Sequence, residues 1–120
     1  MRDYNYFRDE EFRRAKPACS LSDMDEDFMV MLDVAREYAG IPFIINSAYR
    51  SKEYEKKKGR SGTSMHCEGR AVDIKCITSA DRFRIVDSLF VAGFRRIGIG
   101  STFIHVDNGY RDASSLIWLY

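Results

Sequence analysis

Two short strands joined by a tight turn are predicted near the end of the chain, and this pattern restricts the possible folds more than any other. The strands cover residues 96–100 and 103–107, and the short connection between them favours pairing as an antiparallel hairpin. Because side chains alternate along a strand, Phe103, His105 and Asp107 share one face of the second strand. The chain is therefore predicted to contain a sheet that presents a histidine and a carboxylate on one face.

Two helices are predicted from apolar residues that recur at helical spacing, and we expect them to cover the sheet. The first begins after a capping residue, Ser22 or Asp23, and ends at Gly40. The second begins at Ser79 and ends at Gly93, where a left-handed conformation stops the helix. The predicted buried face of this second helix consists of Phe83, Val86, Leu89 and Phe90.

Two further strands are predicted upstream of the hairpin. Residues 43–49 form a buried apolar run, and residues 70–76 alternate so that Asp73 points away from the apolar face. Residues 51–58 are highly charged and predicted to form one or two exposed helical turns. The order helix, strand, helix, strand, helix and two strands predicts the α+β class, with helices packed on a mainly antiparallel sheet.

The length and composition of the chain predict one domain that spans residues 1–120. A chain of 120 residues is long enough to bury a single core, and it contains no internal repeat and no linker rich in Gly, Ser or Pro. Hydrophobic residues make up 45% of it and charged residues 31%, as in soluble globular proteins. The formal net charge of +1 provides no field that would attract nucleic acid, so we expect no nucleic-acid partner.

The N-terminal sequence and the cysteines indicate the compartment in which the protein is made. No basic region followed by an apolar run and a cleavage site is visible, and no segment is long enough to span a membrane. Three cysteines without C-x-x-C spacing indicate reduced thiols. We therefore expect synthesis in the cytoplasm without a signal peptide and no membrane partner. We also expect a monomer.

The chain contains two histidines, and each lies near a carboxylate in the sequence. His66 is followed by Asp73, and His105 by Asp107. Two imidazoles and one carboxylate match a catalytic zinc site, which keeps a fourth position for water. A single histidine in a strand is more often a hydrogen-bonded core residue, so the prediction of a metal site depends on the whole group. Cys67 is a less favoured fourth ligand, because adjacent residues rarely point at the same ion.

Residues 64–73 fit the pattern S-x-H-x-x-G-x-A-x-D at every specified position. This pattern resembles the signature of the M15 family of zinc D-Ala-D-Ala peptidases. The resemblance extends to residues 47–51 upstream and 96–100 downstream, so it covers roughly residues 20–110 of the chain. It implies the small α+β fold that this family shares with the zinc-containing signalling domain of hedgehog proteins.

The resemblance also implies a role for individual residues. Three of them correspond to the zinc ligands of the family: His66, Asp73 and His105. Arg50 corresponds to its active-site arginine, which can bind a substrate carboxylate or a developing oxyanion, and Ser64 to a residue that lines the substrate site. The implied substrate is a peptidoglycan peptide, cut by a carboxypeptidase or an endopeptidase, and compact members of the family serve as phage lysins.

One position departs from the family pattern. Better known members have an acidic general base three positions before the last histidine, where this chain has Thr102. A threonine can orient a water but cannot take its proton. Asp107 is the nearest replacement, because it shares a strand face with His105, and Glu68 is the other carboxylate near the motif.

Other interpretations stay open at the level of the sequence. A zinc-bearing binding module for the cell wall is favoured by Thr102, since hedgehog-type relatives use this scaffold for recognition. A metal-dependent nuclease is less favoured, because the charge is balanced and the two histidines fit no nuclease pattern. The aromatic residues within 117–120 either pack on the core or form a wall of the substrate site.

Overall fold

The computed structural model describes residues 3–109 and 114–120. Within these ranges the chain forms four α-helices, five β-strands and two short 3-10 helices, Leu21–Asp23 and Met65–Glu68. The helices are α1 (Asp9–Arg13), α2 (Glu26–Ala39), α3 (Lys52–Lys57) and α4 (Ser79–Val91). The strands are β1 (Ile45–Ser47), β2 (Ala71–Lys75), β3 (Arg96–Ile99), β4 (Phe103–Asp107) and β5 (Leu116–Leu119).

The described strands form one mixed sheet in the order β1-β2-β4-β3-β5. The pairs β1 with β2, β2 with β4 and β3 with β4 are antiparallel, whereas β5 pairs with β3 in parallel. The predicted hairpin of β3 and β4 is confirmed, and Gly98 lies opposite His105 in it. The prediction of an α+β fold with helices on a mainly antiparallel sheet is confirmed as well.

The apolar core lies between α2, α4 and one face of the sheet. Ile104 and Val106 of β4 point into it, so the alternation of the strand places His105 and Asp107 on the opposite face. The two helices and the neighbouring strands contribute large, fully buried side chains, among them Phe28, Leu32, Ile85, Leu89, Ile74 and Ile97. Helices α2 and α4 therefore do not cover the face that carries His105 and Asp107.

The predicted buried face of α4 is confirmed for Leu89 and Val86, which lie in or against the core, and wrong for Phe83 and Phe90. Phe83 is 72% exposed and Phe90 is 36% exposed, whereas Ile85, Ser88 and Leu89 are buried. Apolar side chains lie on more than one side of this helix, so their spacing alone does not select the packed side. Ser88 fits there because its hydroxyl donates a hydrogen bond to the Ile85 carbonyl at 2.7 Å. Helix α4 therefore packs against α2 with the side that carries the small residue Ser88.

Two predicted boundaries also need correction. Helix α2 is capped by Asp25, whose side chain accepts a hydrogen bond from the Phe28 backbone at 2.9 Å, and not by Ser22 or Asp23, which lie in the preceding 3-10 helix. Its predicted end is confirmed, since Gly40 adopts a left-handed conformation with φ of 68°. The strand predicted over residues 43–49 is reduced to β1, because only its centre pairs with β2.

None of the described helices combines the length and the apolar character that crossing a membrane requires.

Candidate metal centre

The first candidate ligand, His66, lies in the 3-10 helix Met65–Glu68. Ser64 caps this helix, and its hydroxyl accepts a hydrogen bond from the His66 backbone at 3.2 Å. The helix ends at Gly69, where a φ of 67° turns the chain toward β2. A Cβ at this glycine would collide with the Asp23 carbonyl oxygen, so the turn requires glycine for space as well as for conformation.

The second and third candidate ligands face each other across two paired strands. Asp73 of β2 lies opposite His105 of β4 in the register, so both side chains project from the same face. The Oδ1 atom of Asp73 is 2.9 Å from Nδ1 of His105 and 3.4 Å from Nε2 of His66. The candidate ligand atoms of the three side chains all lie within 4.8 Å of one another. The three residues are thereby brought together as predicted.

The hydrogen bonds of the two imidazole rings indicate which ring nitrogens are available to bind a metal. Nδ1 of His66 is 2.6 Å from the carbonyl oxygen of Ala48, which can only accept, so this nitrogen donates. Nε2 of His105 likewise lies 2.7 Å from the carboxylate of Asp107. The nitrogens that face Asp73 are therefore the ones available as ligands. Two imidazole nitrogens and one carboxylate oxygen form a donor set that fits zinc.

The charges around Asp73 keep its carboxylate ready for a cation. Burial by itself would raise the pKa of Asp73, but hydrogen bonds from His105 and His66 outweigh it and lower this pKa far below its ordinary value. For His105 burial acts to lower the pKa, and the carboxylates of Asp107 and Asp73 reverse this and raise it. The raised pKa means that protons compete more strongly with a metal ion for His105.

Asp107, predicted as the general base, lies behind His105. It is 3% exposed, and its Oδ2 contacts Nε2 of His105 on the side of the ring away from Asp73. Its Oδ1 accepts a hydrogen bond from Nε of Arg96 at 2.7 Å. Burial would raise the pKa of Asp107, but the contacts with His105 and Arg96 lower it. Both carboxylate oxygens are thus engaged in hydrogen bonds.

Arg50 lies at the edge of the cluster, three residues after the end of β1. Its Nη2 donates a hydrogen bond to Oδ2 of Asp73 at 3.2 Å, and its Nε donates to the hydroxyl of Ser47 at 2.9 Å. Its Nη1 donates to Oε1 of Glu55 at 3.3 Å. The guanidinium therefore contacts the oxygen of Asp73 that faces away from the two imidazoles.

The remaining residues singled out by the sequence lie farther from the donor atoms. Glu68 is exposed, and Thr102 is exposed in the turn between β3 and β4, where its carbonyl accepts from the Cys76 backbone. Cys67 is a half-buried free thiol outside the three-residue cluster, and burial raises its pKa. The structure thus groups Arg50 and Asp107 with the three candidate ligands, but not these residues.

A cavity of about 350 Å³ opens beside the cluster. It is lined by Thr63, Ser64, Met65, Arg96, His105, Asp107, Gly109 and Tyr120. A larger apolar groove of about 440 Å³ lies along α4, but none of the candidate ligands lines it. Of these two, the smaller cavity is the one that adjoins the cluster, and Ser64 lines it.

Trp118 of β5 and Tyr120, which follows this strand, are the aromatic residues whose location the sequence did not decide. The ring of Trp118 lies 5.5 Å from the ring of His105 and that of Tyr120 lies 6.5 Å from it. A Cβ at Gly98 would lie 2.6 Å from atoms of both aromatic rings, so this glycine gives them room. Trp118 and Tyr120 therefore form a wall beside the cluster and do not pack in the core, and Tyr120 is 68% exposed.

Two charged residues near the cluster were missed by the sequence analysis. Arg96 is the register partner of Asp107, so the predicted hairpin contained a signal for this ion pair. Glu55 of α3 is only 1% exposed, although its segment was predicted to be exposed. No local pattern indicates this burial, because Glu55 is buried by its contacts with Arg50 and Arg60.

The fold and the cluster together define an α+β protein of the metallohydrolase type, with two histidines and an aspartate on one face of a mixed sheet. The chain belongs to the peptidase M15 family, whose model matches residues 5–107. No curated protein and no solved structure matches the chain. Members of this family are zinc-dependent metallopeptidases, so the resemblance inferred from residues 64–73 is confirmed at the level of the family.

Proposed function

We propose that this chain is a zinc peptidase that hydrolyses a D-amino-acid-containing peptide of bacterial peptidoglycan, as a carboxypeptidase or an endopeptidase. The observation that carries the proposal is the convergence of His66, Asp73 and His105 beside a cavity of about 350 Å³. Membership of the M15 family supports the reaction class. The substrate class is our inference from the sequence motif and from the polar and aromatic lining of the cavity.

In this proposal Asp73, His66 and His105 bind the zinc ion through Oδ1, Nε2 and Nδ1. When bound, zinc polarises a scissile carbonyl and lowers the pKa of a water ligand. The Ala48 carbonyl and the Asp107 carboxylate fix the orientation of the two rings by accepting their outer N–H groups. The chain itself therefore holds the donor atoms in place before any ligand arrives.

Arg50 and Ser64 are proposed to bind the substrate. Arg50 is partly exposed, with 17% of its side chain accessible, and it carries a charge that cannot be lost by deprotonation. It is therefore placed to bind a substrate carboxylate or to stabilise a developing oxyanion. Ser64 lines the cavity, and Tyr120 presents an aromatic face to it. An extended peptide would lie between these side chains.

Asp107 has two candidate roles, as the general base or as the residue that orients His105. Its contacts favour the second role, because Oδ2 binds His105 on the side away from the donor cluster and Oδ1 binds Arg96. A carboxylate that already accepts two charged hydrogen bonds and has a lowered pKa is a weak proton acceptor. We propose that Asp107 mainly orients His105, so the proton acceptor of the reaction is then Glu68 or a carboxylate of the substrate.

We further propose that residues 1–120 act as one domain and as a monomer on the cell wall, after synthesis in the cytoplasm, without a nucleic-acid or membrane partner. The alternative function is a zinc-bearing binding module of low or no activity. The feature that favours it is Thr102, which replaces an acidic residue and lies in an exposed turn.

The decisive experiment is digestion of purified peptidoglycan by the purified protein, with mass analysis of the released fragments. We expect new peptide termini that disappear with a chelator and return when zinc is added. The mass of the fragments identifies the bond and separates a carboxypeptidase from an endopeptidase. Zinc-dependent binding to the wall without any new terminus would instead support the binding module.

A further inference from the structure

Glu55 is a buried carboxylate within a short, charged helix. Its side chain is 1% exposed, while its neighbours Glu53 and Lys56 on α3 are exposed. Arg50 contacts its Oε1 at 3.3 Å, and Arg60 contacts its Oε2 at 2.6 Å. A carboxylate is costly to bury unless it is paired, so these contacts are what allow Glu55 to lie inside.

Glu55 completes the set of contacts that hold Arg50. The three guanidinium nitrogens of Arg50 each donate to a different side chain, those of Ser47, Glu55 and Asp73. A planar guanidinium held at three nitrogens has a fixed plane and a fixed direction. Glu55 and Ser47 therefore determine where Arg50 meets Asp73.

Because of the contact with Arg50, the two oxygens of Asp73 have different partners. Oδ2 accepts from Arg50 at 3.2 Å, whereas Oδ1 lies near the donor nitrogens of His105 and His66 at 2.9 and 3.4 Å. A carboxylate that rotates freely can present both oxygens to a cation. The contact with Arg50 opposes that rotation.

We propose that Glu55 is a positioning residue of the metal centre, which acts through Arg50 to make Asp73 a ligand with one oxygen. This inference rests on the proposed zinc site and adds to it a contact chain from α3 to the donor atoms. One oxygen from Asp73 and one nitrogen from each histidine leave a fourth position open in a tetrahedral site. Glu55 itself contacts none of the ligand atoms.

The test compares Glu55→Gln with Glu53→Gln, the same chemical change on the same helix at an exposed position. Zinc affinity is measured by competition with a chelator, and cobalt(II) is used as a spectroscopic probe of coordination number. Partners of metal ligands contribute about 10- to 100-fold to affinity, so we expect Glu55→Gln to weaken zinc binding by about 10-fold. Its cobalt absorption should also weaken, because four-coordinate cobalt absorbs more strongly than higher-coordinate cobalt. Glu53→Gln should match the wild type in both measurements.

Wild-type affinity and wild-type cobalt absorption in folded Glu55→Gln would overturn the proposal. Arg60→Gln tests whether Glu55 acts only by stabilising α3, because it removes the outer ion pair and leaves the contact with Arg50. An equal loss of zinc affinity in Arg60→Gln would also overturn the proposal. Failure of the wild type to cleave peptidoglycan would contradict the proposed function, but it would not alter this comparison of metal affinities.

If Glu55→Gln does not fold, the wild-type protein still provides a test. The Nε–H group of Arg50, assigned by its loss in Arg50→Lys, should exchange slowly with water in nuclear magnetic resonance spectra of the metal-free protein. Exchange as fast as that of exposed Arg84 would show that Arg50 is not fixed and would overturn the proposal.

Discussion

Asp73 and His105 lie opposite each other on β2 and β4, and Oδ1 of the first is 2.9 Å from Nδ1 of the second. Two strands that are separated along the chain by helix α4 thus bring two candidate ligands into direct contact. His66 joins them from the 3-10 helix that precedes β2. Three segments of the chain thus converge on one candidate metal site.

The first prediction concerns the ligands. His66→Ala, Asp73→Ala and His105→Ala should each lose most of the bound zinc, because two protein ligands remain in each variant. Elemental analysis of the purified proteins measures this loss. Cys67→Ser is the control and should keep one zinc per chain, since Cys67 lies outside the cluster. Stoichiometric zinc in all three alanine variants would refute the assignment.

The second prediction concerns the pH dependence of the metal-free protein. The pKa of His105 is raised, so its charged form stabilises the fold below its ordinary pKa, and this contribution is lost as the pH rises through the raised value. The pKa values of Asp73 and Asp107 are lowered, so their contribution is lost as the pH falls below the ordinary carboxyl range. Thermal unfolding with a chelator should therefore show greatest stability between these limits.

His105→Gln is the control for this pH profile. The variant should lose the part of the alkaline decrease that comes from His105, because glutamine does not titrate, and it should keep the part that comes from thiols whose pKa burial raises. In the wild type, zinc affinity should change in the opposite direction and increase with pH, since the metal displaces the proton of His105. A stability that stays flat from neutral to alkaline pH in the metal-free wild type would contradict the prediction.

The third prediction concerns Arg50. Arg50→Lys should fold but lose about 10²- to 10³-fold in kcat, the usual effect of removing one donor to a developing oxyanion. A lysine carries the charge but cannot contact Ser47, Glu55 and Asp73 with a planar fork. Steady-state kinetics on a released peptide fragment at saturating zinc measure the effect. Turnover equal to that of the wild type would exclude this role.

The fourth prediction separates the two roles of Asp107. If Asp107 orients His105, Asp107→Asn should weaken zinc binding by about 10- to 100-fold and change kcat at saturating zinc much less. If Asp107 is the general base, the same variant should keep its zinc and lose about 10²- to 10⁴-fold in kcat. The contacts of Asp107 with His105 and Arg96 favour the first outcome.

Thr102→Glu gives an independent check on the missing acid. A sharp rise in activity in the wild-type background would indicate that the natural protein is a weakened enzyme or a binding module. Unchanged activity would indicate that the proton acceptor is supplied elsewhere in the site.

The fifth prediction concerns the aromatic wall. In Gly98→Ala the new Cβ would lie 2.6 Å from ring atoms of Trp118 and Tyr120, so both rings have to move. Trp118 is the only tryptophan of the chain, so its fluorescence reports this movement directly. We expect a shifted emission, unchanged zinc content and a higher KM. An unchanged KM with a shifted emission would show that the wall does not contact the substrate.

The sequence determined those features that depend on local patterns. The alternation of residues 70–76 and 103–107 gave Asp73 and His105 their common face, because the side-chain period of a strand does not depend on its partners. Fold class and family were readable because several such local signals agreed.

Tertiary structure alone decided the features that depend on contacts between distant segments. Phe83 and Phe90 of α4 were mispredicted as buried because the contact with α2 selects the packed side, and β5 was not predicted because it adds to the sheet by pairing in parallel with β3. The burial of Glu55 has the same origin, since it requires Arg50 and Arg60 as partners. The candidate ligands were therefore visible in the sequence, whereas the charged partners Glu55 and Arg96 were not, because a paired charge is recognisable only when its partner is known.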